Sequence, residues 1–175
     1  MRRVIYGCAM SLDGYIAGPN GEYDWIVMDP QIDFAAIMAR FDTFLIGRKT
    51  FDAMRRMGNE AESTPGIQNV VFSRTLNPAD YPNVAISGDA ERVVRDLRRK
   101  PGKEIALFGG GELFRSLLGA GLVDGVEVSL IPVLLGGGIP LLPSPSPRAN
   151  LKLRKQRVYE KTGTVGLEYD LCPTG

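Results

Sequence analysis

Three times in this chain a short apolar run stops at a small residue, and after two of them the spacing of apolar positions turns helical. Phe44-Leu45-Ile46 meets Gly47 ahead of Arg48 to Met54, Val70-Val71-Phe72 meets Ser73, and Ile105-Ala106-Leu107-Phe108 meets Gly109-Gly110-Gly111 ahead of Glu112 to Leu118. Runs this short and this uniformly apolar suit strands buried on both faces, the condition of a parallel sheet with helices packed on it. Val4 to Met10 is a further buried strand, ended by the turn Asp13-Gly14, and Val84-Ala85-Ile86 is another. Asp29-Pro30 reads as a capping acid and a first-position proline, opening a helix whose apolar face is Ile32, Phe34, Ala35, Ile37, Met38 and Phe41. Asp89 to Lys100 is a polar-faced helix stopped by Pro101-Gly102, and Val126 to Ile131 a half-buried strand. Leu151 to Glu160 and Thr164 to Leu171 flank the turn Lys161-Thr162-Gly163. The expected fold is α/β: a mixed, mainly parallel central sheet, helices on both faces, and a C-terminal antiparallel hairpin, in one domain over residues 1–175.

Composition removes several chemistries. The 175 residues include no histidine, so a Ser-His-Asp or Cys-His nucleophilic site and a histidine-bound metal cannot be built. Cys8 and Cys172 stand near opposite ends with no C-x-x-C pair, and no metal site is expected. A net charge of +1 gives no global attraction to nucleic acid or anionic membrane. Residues 128–147 carry no charge over a length that could span a bilayer, but Pro132, Gly136 to Gly138, Pro140, Pro143, Pro145 and Pro147 break them into a strand and a structured loop. The first residues do not read as a signal peptide, and a cytoplasmic location is expected.

Ligands of open α/β sheets sit at the carboxyl ends of the strands, which directs attention to the three junctions. At Gly109-Gly110-Gly111 an anion can approach backbone N–H groups at a helix start; the same residues also make a flexible turn. Gly47-Arg48-Lys49-Thr50 adds two cations and a hydroxyl to a helix N-terminus, the unfavourable end for cations unless an anion binds there; their other reading is projection into solvent. Neither segment is a Walker loop, because Asp42 stands where the first glycine is required. Phe114 in place of the third glycine excludes the dinucleotide fingerprint.

Taken in order, Ala9-Met10-Ser11-Leu12-Asp13-Gly14-Tyr15-Ile16-Ala17, Gly47-Arg48-Lys49-Thr50-Phe51, Val71-Phe72-Ser73-Arg74, Phe108-Gly109-Gly110-Gly111-Glu112-Leu113 and Pro132 to Leu141 resemble the dihydrofolate reductase superfamily. The resemblance is to the branch of the reductase domain in the riboflavin-pathway deaminase-reductase. It implies a dihydrofolate-reductase-like fold and NADPH as cofactor. Backbone groups of Ala9 and Ile16 would bracket the nicotinamide carboxamide. Gly47, Arg48, Lys49 and Thr50 from one helix start, and Gly109, Gly110, Gly111, Glu112 and Leu113 from the other, would hold the phosphates. Ser73 and Arg74 would take the ribose 2′-phosphate.

Trp25 matches a position beside nicotinamide and substrate; its other reading is a half-buried loop anchor. Asp33 matches the acid nearest the substrate, catalytic or substrate-binding, and is equally readable as a charge at a helix N-terminus. With histidine absent, a proton comes from Asp33, from the Tyr15 hydroxyl or from water. The expected substrate is a small pterin-like or ribosylaminopyrimidine-like molecule, with the loops Gly18 to Met28 and Asn59 to Ile67 lining its pocket. The alternative is a non-catalytic NADP(H)-binding or sensory domain. No zinc-deaminase motif occurs. The resemblance also implies a homodimer, with Leu130 to Leu142 as one available surface.

Overall fold

The computed structural model describes residues 1–58 and 65–172. Its main sheet has eight strands: β1 (Val4–Ser11), β3 (Phe41–Gly47), β4 (Gln68–Phe72), β5 (Ala85–Ser87), β6 (Glu104–Gly109), β7 (Gly125–Ile131), β9 (Leu151–Tyr159) and β10 (Thr164–Leu171). They lie in the order β5-β4-β3-β6-β1-β7-β10-β9. Every pairing from β5 to β7 is parallel, and β10 pairs antiparallel with β7 and with β9. Two short strands, β2 (Tyr15–Ala17) and β8 (Ile139–Pro140), form a separate antiparallel pair. This is the mixed, mainly parallel architecture with a terminal hairpin that the junctions imply.

Helices cover both faces. On one, α3 (Ala90–Arg99) and α4 (Gly111–Gly119) pack Val94, Leu97, Leu113, Phe114 and Leu117 against Val4, Tyr6, Leu45 and Leu107. The Tyr6 and Phe114 rings stack there with centroids 4.0 Å apart. On the other face, α1 (Phe34–Met38) and α2 (Arg48–Arg56) pack Ile37, Met38, Phe51 and Met54 against Ile5, Phe44, Ile46 and Ala106. Alternation along β1 therefore sends Val4, Tyr6 and Cys8 to the first face and Ile5, Gly7 and Ala9 to the second. Phe51 is fully buried. Burial of a side chain that size is worth about 1.5–3 kcal/mol over exposure, so the core fixes where α2 begins.

One element departs from the sequence reading. The helix expected to open at Asp29-Pro30 starts at Phe34 and runs five residues, with Asp33 as its N-cap. Asp29 is buried and instead accepts from the Gln31 N–H and the Thr162 hydroxyl, 2.9 Å each. Phe41, assigned by its spacing to the helix, is the first residue of β3. Residues 59–64 of the expected pocket segment lie outside the described residues.

Candidate active site

Because the strands from β5 to β7 run parallel, their carboxyl ends form one edge. In sheet order it carries Ser87-Gly88, Ser73-Arg74, Gly47-Arg48, Gly109-Gly110 and Ala9 to Ser11. The three junctions singled out in the sequence are thus neighbours.

Those at β3 and β6 are in contact. A Cβ on Gly47 would lie 3.2 Å from the Gly109 oxygen and 3.2 Å from the Gly110 nitrogen, and one on Gly110 would lie 3.2 Å from Thr50 Oγ1. The missing side chains let the starts of α2 and α4 converge. Gly111 is explained differently, since its Cβ would strike Pro143 Cδ at 2.9 Å and the Pro140 oxygen at 3.0 Å.

The two helix starts share a second property. Asp33, Asn77 and Asp89 each cap their helix with a side-chain oxygen, whereas Gly47 and Gly110 leave α2 and α4 without a side-chain cap. Uncapped N-termini present free N–H donors and positive dipole ends, the arrangement that receives an anion.

Cations stand beside them. Arg74 is exposed at the end of β4, with its stem in the notch left by Gly88, whose Cβ would lie 3.3 Å from Arg74 Cγ. Among the described residues neither Arg74 nor Lys49, also exposed, has a carboxylate partner. Arg48 is committed: Nε donates to both Asp52 oxygens at 2.8 and 2.9 Å, and Nη1 donates to Thr75 Oγ1 at 3.0 Å. Ser73 Oγ accepts from the Thr75 and Leu76 N–H groups at 3.2 and 3.1 Å, which fixes the turn displaying Arg74. Thr75 and Gly88 were not legible as site residues, because each acts through a partner on another segment, and Asp52, one helical turn after Arg48, was not singled out. Glu112 is exposed and paired to Arg115 at 2.6 Å, and the Leu113 side chain is in the core, so only their backbone faces the junction.

On the other side of the β6 junction, Ala9 lies in β1, and Ile16 in β2. Asp13 clamps the intervening loop: it accepts from Ser11 Oγ at 2.7 Å and from the Leu135 and Gly136 N–H groups at 3.1 and 2.8 Å. The Ser11 hydroxyl first, and those backbone donors with it, hold the Asp13 carboxyl below the usual carboxylate range. A lowered folded-state pKa contributes stability that is fully present above the unfolded value, about 3.9, and is lost as pH falls through the lowered one. Amide protection at Leu135 and Gly136 is therefore expected to hold down to about pH 4 and to decline below it. In Asp13→Ala it should be low at every pH; equal protection in the two proteins would contradict the clamp.

Trp25 is half-buried and donates Nε1–H to the Glu22 oxygen at 3.0 Å within its own loop. The Asp29–Thr162 bond ties that loop to the hairpin turn. Asp33 is exposed and accepts from the Ala36 N–H at 2.9 Å. The short α1 that Asp33 opens leads into β3 at the amino edge of the sheet. Burial pushes the Cys8 thiol up to about 12, away from nucleophilic use. Among the described residues no group of three or more Cys, Asp or Glu could hold a metal ion, and no helix is long and apolar enough to cross a membrane.

An ion-pair network crosses the α1 face of the sheet. Arg40 donates to Glu104 on β6 and to Glu127 on β7, at 2.8 to 3.0 Å. Arg154 joins Glu127 to Glu168, Lys155 joins Glu168, and Arg3 joins Glu104 and Asp170. The bonds from Glu127, then Glu104, hold the Arg40 guanidinium firmly charged. Four cations thus offset four carboxylates.

This order of strands, with a parallel sheet, converging glycine junctions and a terminal hairpin, also carries a recognisable sequence pattern. The model of the RibD C-terminal domain matches residues 2–165. The chain belongs to the RibD C-terminal domain family. Protein YyaP of Bacillus subtilis (strain 168), uncharacterized, is 38% identical over 96% of this chain and 94% of its own length. A structure described as a riboflavin biosynthesis protein from Shewanella sp. PV-4 superposes with a TM-score of 0.82 at 27% identity, covering 98% of this chain and 99% of that one. Dihydrofolate reductase from Enterococcus faecalis, solved with NADP(H), superposes at 0.71 with 16% identity over 98% and 97% of the two chains, a likeness of fold. Similar proteins whose names carry an activity include a bifunctional deaminase and uracil reductase and a dihydrofolate reductase, and a reductase activity is what they share, which makes this RibD-family chain an oxidoreductase at the level of the family.

Proposed function

We propose that this chain is an NADPH-dependent reductase acting on a small pterin-like or ribosylaminopyrimidine-like substrate. One observation carries the reading: the only two helices that begin without a side-chain cap among the described residues meet at Gly47 and Gly110, beside the unpaired cations Lys49 and Arg74. That donor set fits a dinucleotide carrying an extra phosphate, with the pyrophosphate at the helix starts and the 2′-phosphate at the turn.

The N–H groups following Gly47 and Gly110, with those at Gly111, Glu112 and Leu113, hold the pyrophosphate. Arg48, Lys49 and the Thr50 hydroxyl support it and the adenosine phosphate, and Ser73 and Arg74 take the 2′-phosphate. Backbone groups of Ala9 and Ile16 orient the carboxamide and so the ring face presented to the substrate. When bound, NADPH supplies a hydride to an electrophilic carbon. Asp33 holds the proton that the substrate's neighbouring heteroatom takes up, and Trp25 borders the substrate. We place the enzyme in the cytoplasm as a homodimer. Its second copy would cover the apolar side of the hairpin, where Leu151, Leu153 and Val158 are 45%, 47% and 60% exposed, together with part of the Leu130 to Leu142 region.

A ligand that binds only the folded state at 100 times its Kd adds about 2.7 kcal/mol. In a chain of this size NADPH is thus expected to raise Tm by about 5–10 °C, and NADH at the same concentration by less. No shift with NADPH would refute the reading.

A further inference from the structure

Helix α2 begins with its charges in the unfavourable order. The positive end of a helix dipole favours acids in the first turn, and α3 and α4 carry Glu91 and Glu112 there. Helix α2 has no first-turn acid: it opens on Arg48 and Lys49, and Asp52 follows one turn later. The Arg48–Asp52 pair thus has its cation N-terminal to its acid, the weaker of the two i, i+4 arrangements. Both side chains are about a third exposed, so the pair adds little to stability. A pair that served only the helix would run the other way.

What the pair does hold is the Arg48 guanidinium against the neighbouring turn. Arg48 Nε donates to both Asp52 oxygens, at 2.8 and 2.9 Å, and Nη1 donates to Thr75 Oγ1 at 3.0 Å. The Thr75 N–H donates to Ser73 Oγ at 3.2 Å, and the Ser73 N–H donates to the Ser87 oxygen at 2.9 Å, which fastens the turn to β5. Arg74 stands between these two residues, its stem in the Gly88 notch. The Arg48 plane is therefore fixed at two of its three nitrogens, and among the described residues Nη2 donates to no protein atom. Arg55, three residues after Asp52, is turned to the Tyr81 hydroxyl at 3.0 Å.

We propose that Asp52 sets how tightly the cofactor's 2′-phosphate is held: with Thr75 it keeps Arg48 beside Arg74 as a second reading cation, while its own charge restrains that cation's attraction. The inference rests on the NADPH reading and gives a role to two residues that it leaves without one. Position and charge act with opposite sign. A guanidinium already fixed in place meets a phosphate without first losing side-chain freedom, which strengthens binding. A carboxylate 2.8 Å from that guanidinium cancels part of its field at a dianion, which weakens binding. The oxidised cofactor carries the same phosphate and has to leave after each hydride transfer, so a restrained grip serves turnover.

Two substitutions in the full chain separate position from charge, with NADPH and NADH titrated individually at low ionic strength. Asp52→Asn keeps an oxygen for Arg48 Nε and removes the charge. NADPH is expected to bind about 3- to 10-fold more tightly and NADH to gain less than about 2-fold, with the difference shrinking as salt rises. Thr75→Val keeps the branched shape and removes the hydroxyl, so Arg48 is released from the turn; NADPH is expected to weaken about 3-fold or more while NADH hardly changes. General loosening of α2 would instead weaken both cofactors in both variants. An Asp52→Asn protein that binds NADPH no more tightly than wild type, or a Thr75→Val protein indistinguishable from wild type, would overturn the assignment and leave the cofactor reading standing. Absence of NADPH binding by wild type would overturn the reductase reading itself.

Discussion

Asp33→Asn is expected to lower turnover by about 10²-fold, the span typical of a general acid–base group, with the NADPH Kd unchanged. The substitution separates two roles that Asp33 can hold at once. As N-cap of α1 it accepts from the Ala36 N–H at 2.9 Å, and asparagine does this nearly as well as aspartate. The helix therefore survives, and only the carboxyl proton and charge are removed. Ile37 and Met38 still pack on the same cluster, so α1 stays where it was. A steady-state comparison on a substrate that wild type reduces decides the matter. Turnover within a factor of two of wild type would leave Asp33 as a cap and nothing more, and would pass the proton to the Tyr15 hydroxyl or to water.

The elements that were legible in the sequence are those whose causes are local. Gly47, Gly109 and Gly110 announced strand-to-helix junctions because small residues after an apolar run are sufficient for one, and the convergence of the two junctions follows from β3 and β6 being neighbours. The hairpin at the C-terminus was legible for the same reason, its turn lying between two runs of strand composition. What escaped is held by distant partners. Asp29 looked like a helix cap ahead of Pro30, but Thr162, 133 residues away, takes its carboxylate, and the helix begins four residues later at the next acid. Asp13 reads as a turn residue, while its donors Leu135 and Gly136 are 122 and 123 residues on. Arg40 gave no signal, because Glu104 and Glu127 become its neighbours only once β6, β1 and β7 lie side by side. Gly7, with Ala9, reads in the sequence as a small residue that lets something approach the strand closely. Its exposure depends on the shortness of α1, and that in turn on where Phe41 turns the chain into β3.

Preference for NADPH over NADH is the central claim, and it rests on one phosphate. An NAD-preferring site offers an acid to the ribose hydroxyls, whereas the turn after β4 offers Arg74, without a carboxylate partner among the described residues, with its stem seated in the Gly88 notch and its turn fixed by Ser73. A guanidinium donates two parallel charge-assisted hydrogen bonds to a phosphate, each worth about 1.5–3 kcal/mol. Solvent exposure discounts this toward the lower end, and added salt should narrow the preference further. Arg48, already bonded to Asp52 and Thr75, positions the turn more than it supplies a free charge. The decisive measurement is the pair of dissociation constants for NADPH and NADH in wild type and in Arg74→Ala. NADPH is expected to weaken by about 10- to 100-fold while NADH hardly changes, so the preference collapses; an NADPH-to-NADH affinity ratio that is the same in both proteins would contradict the account.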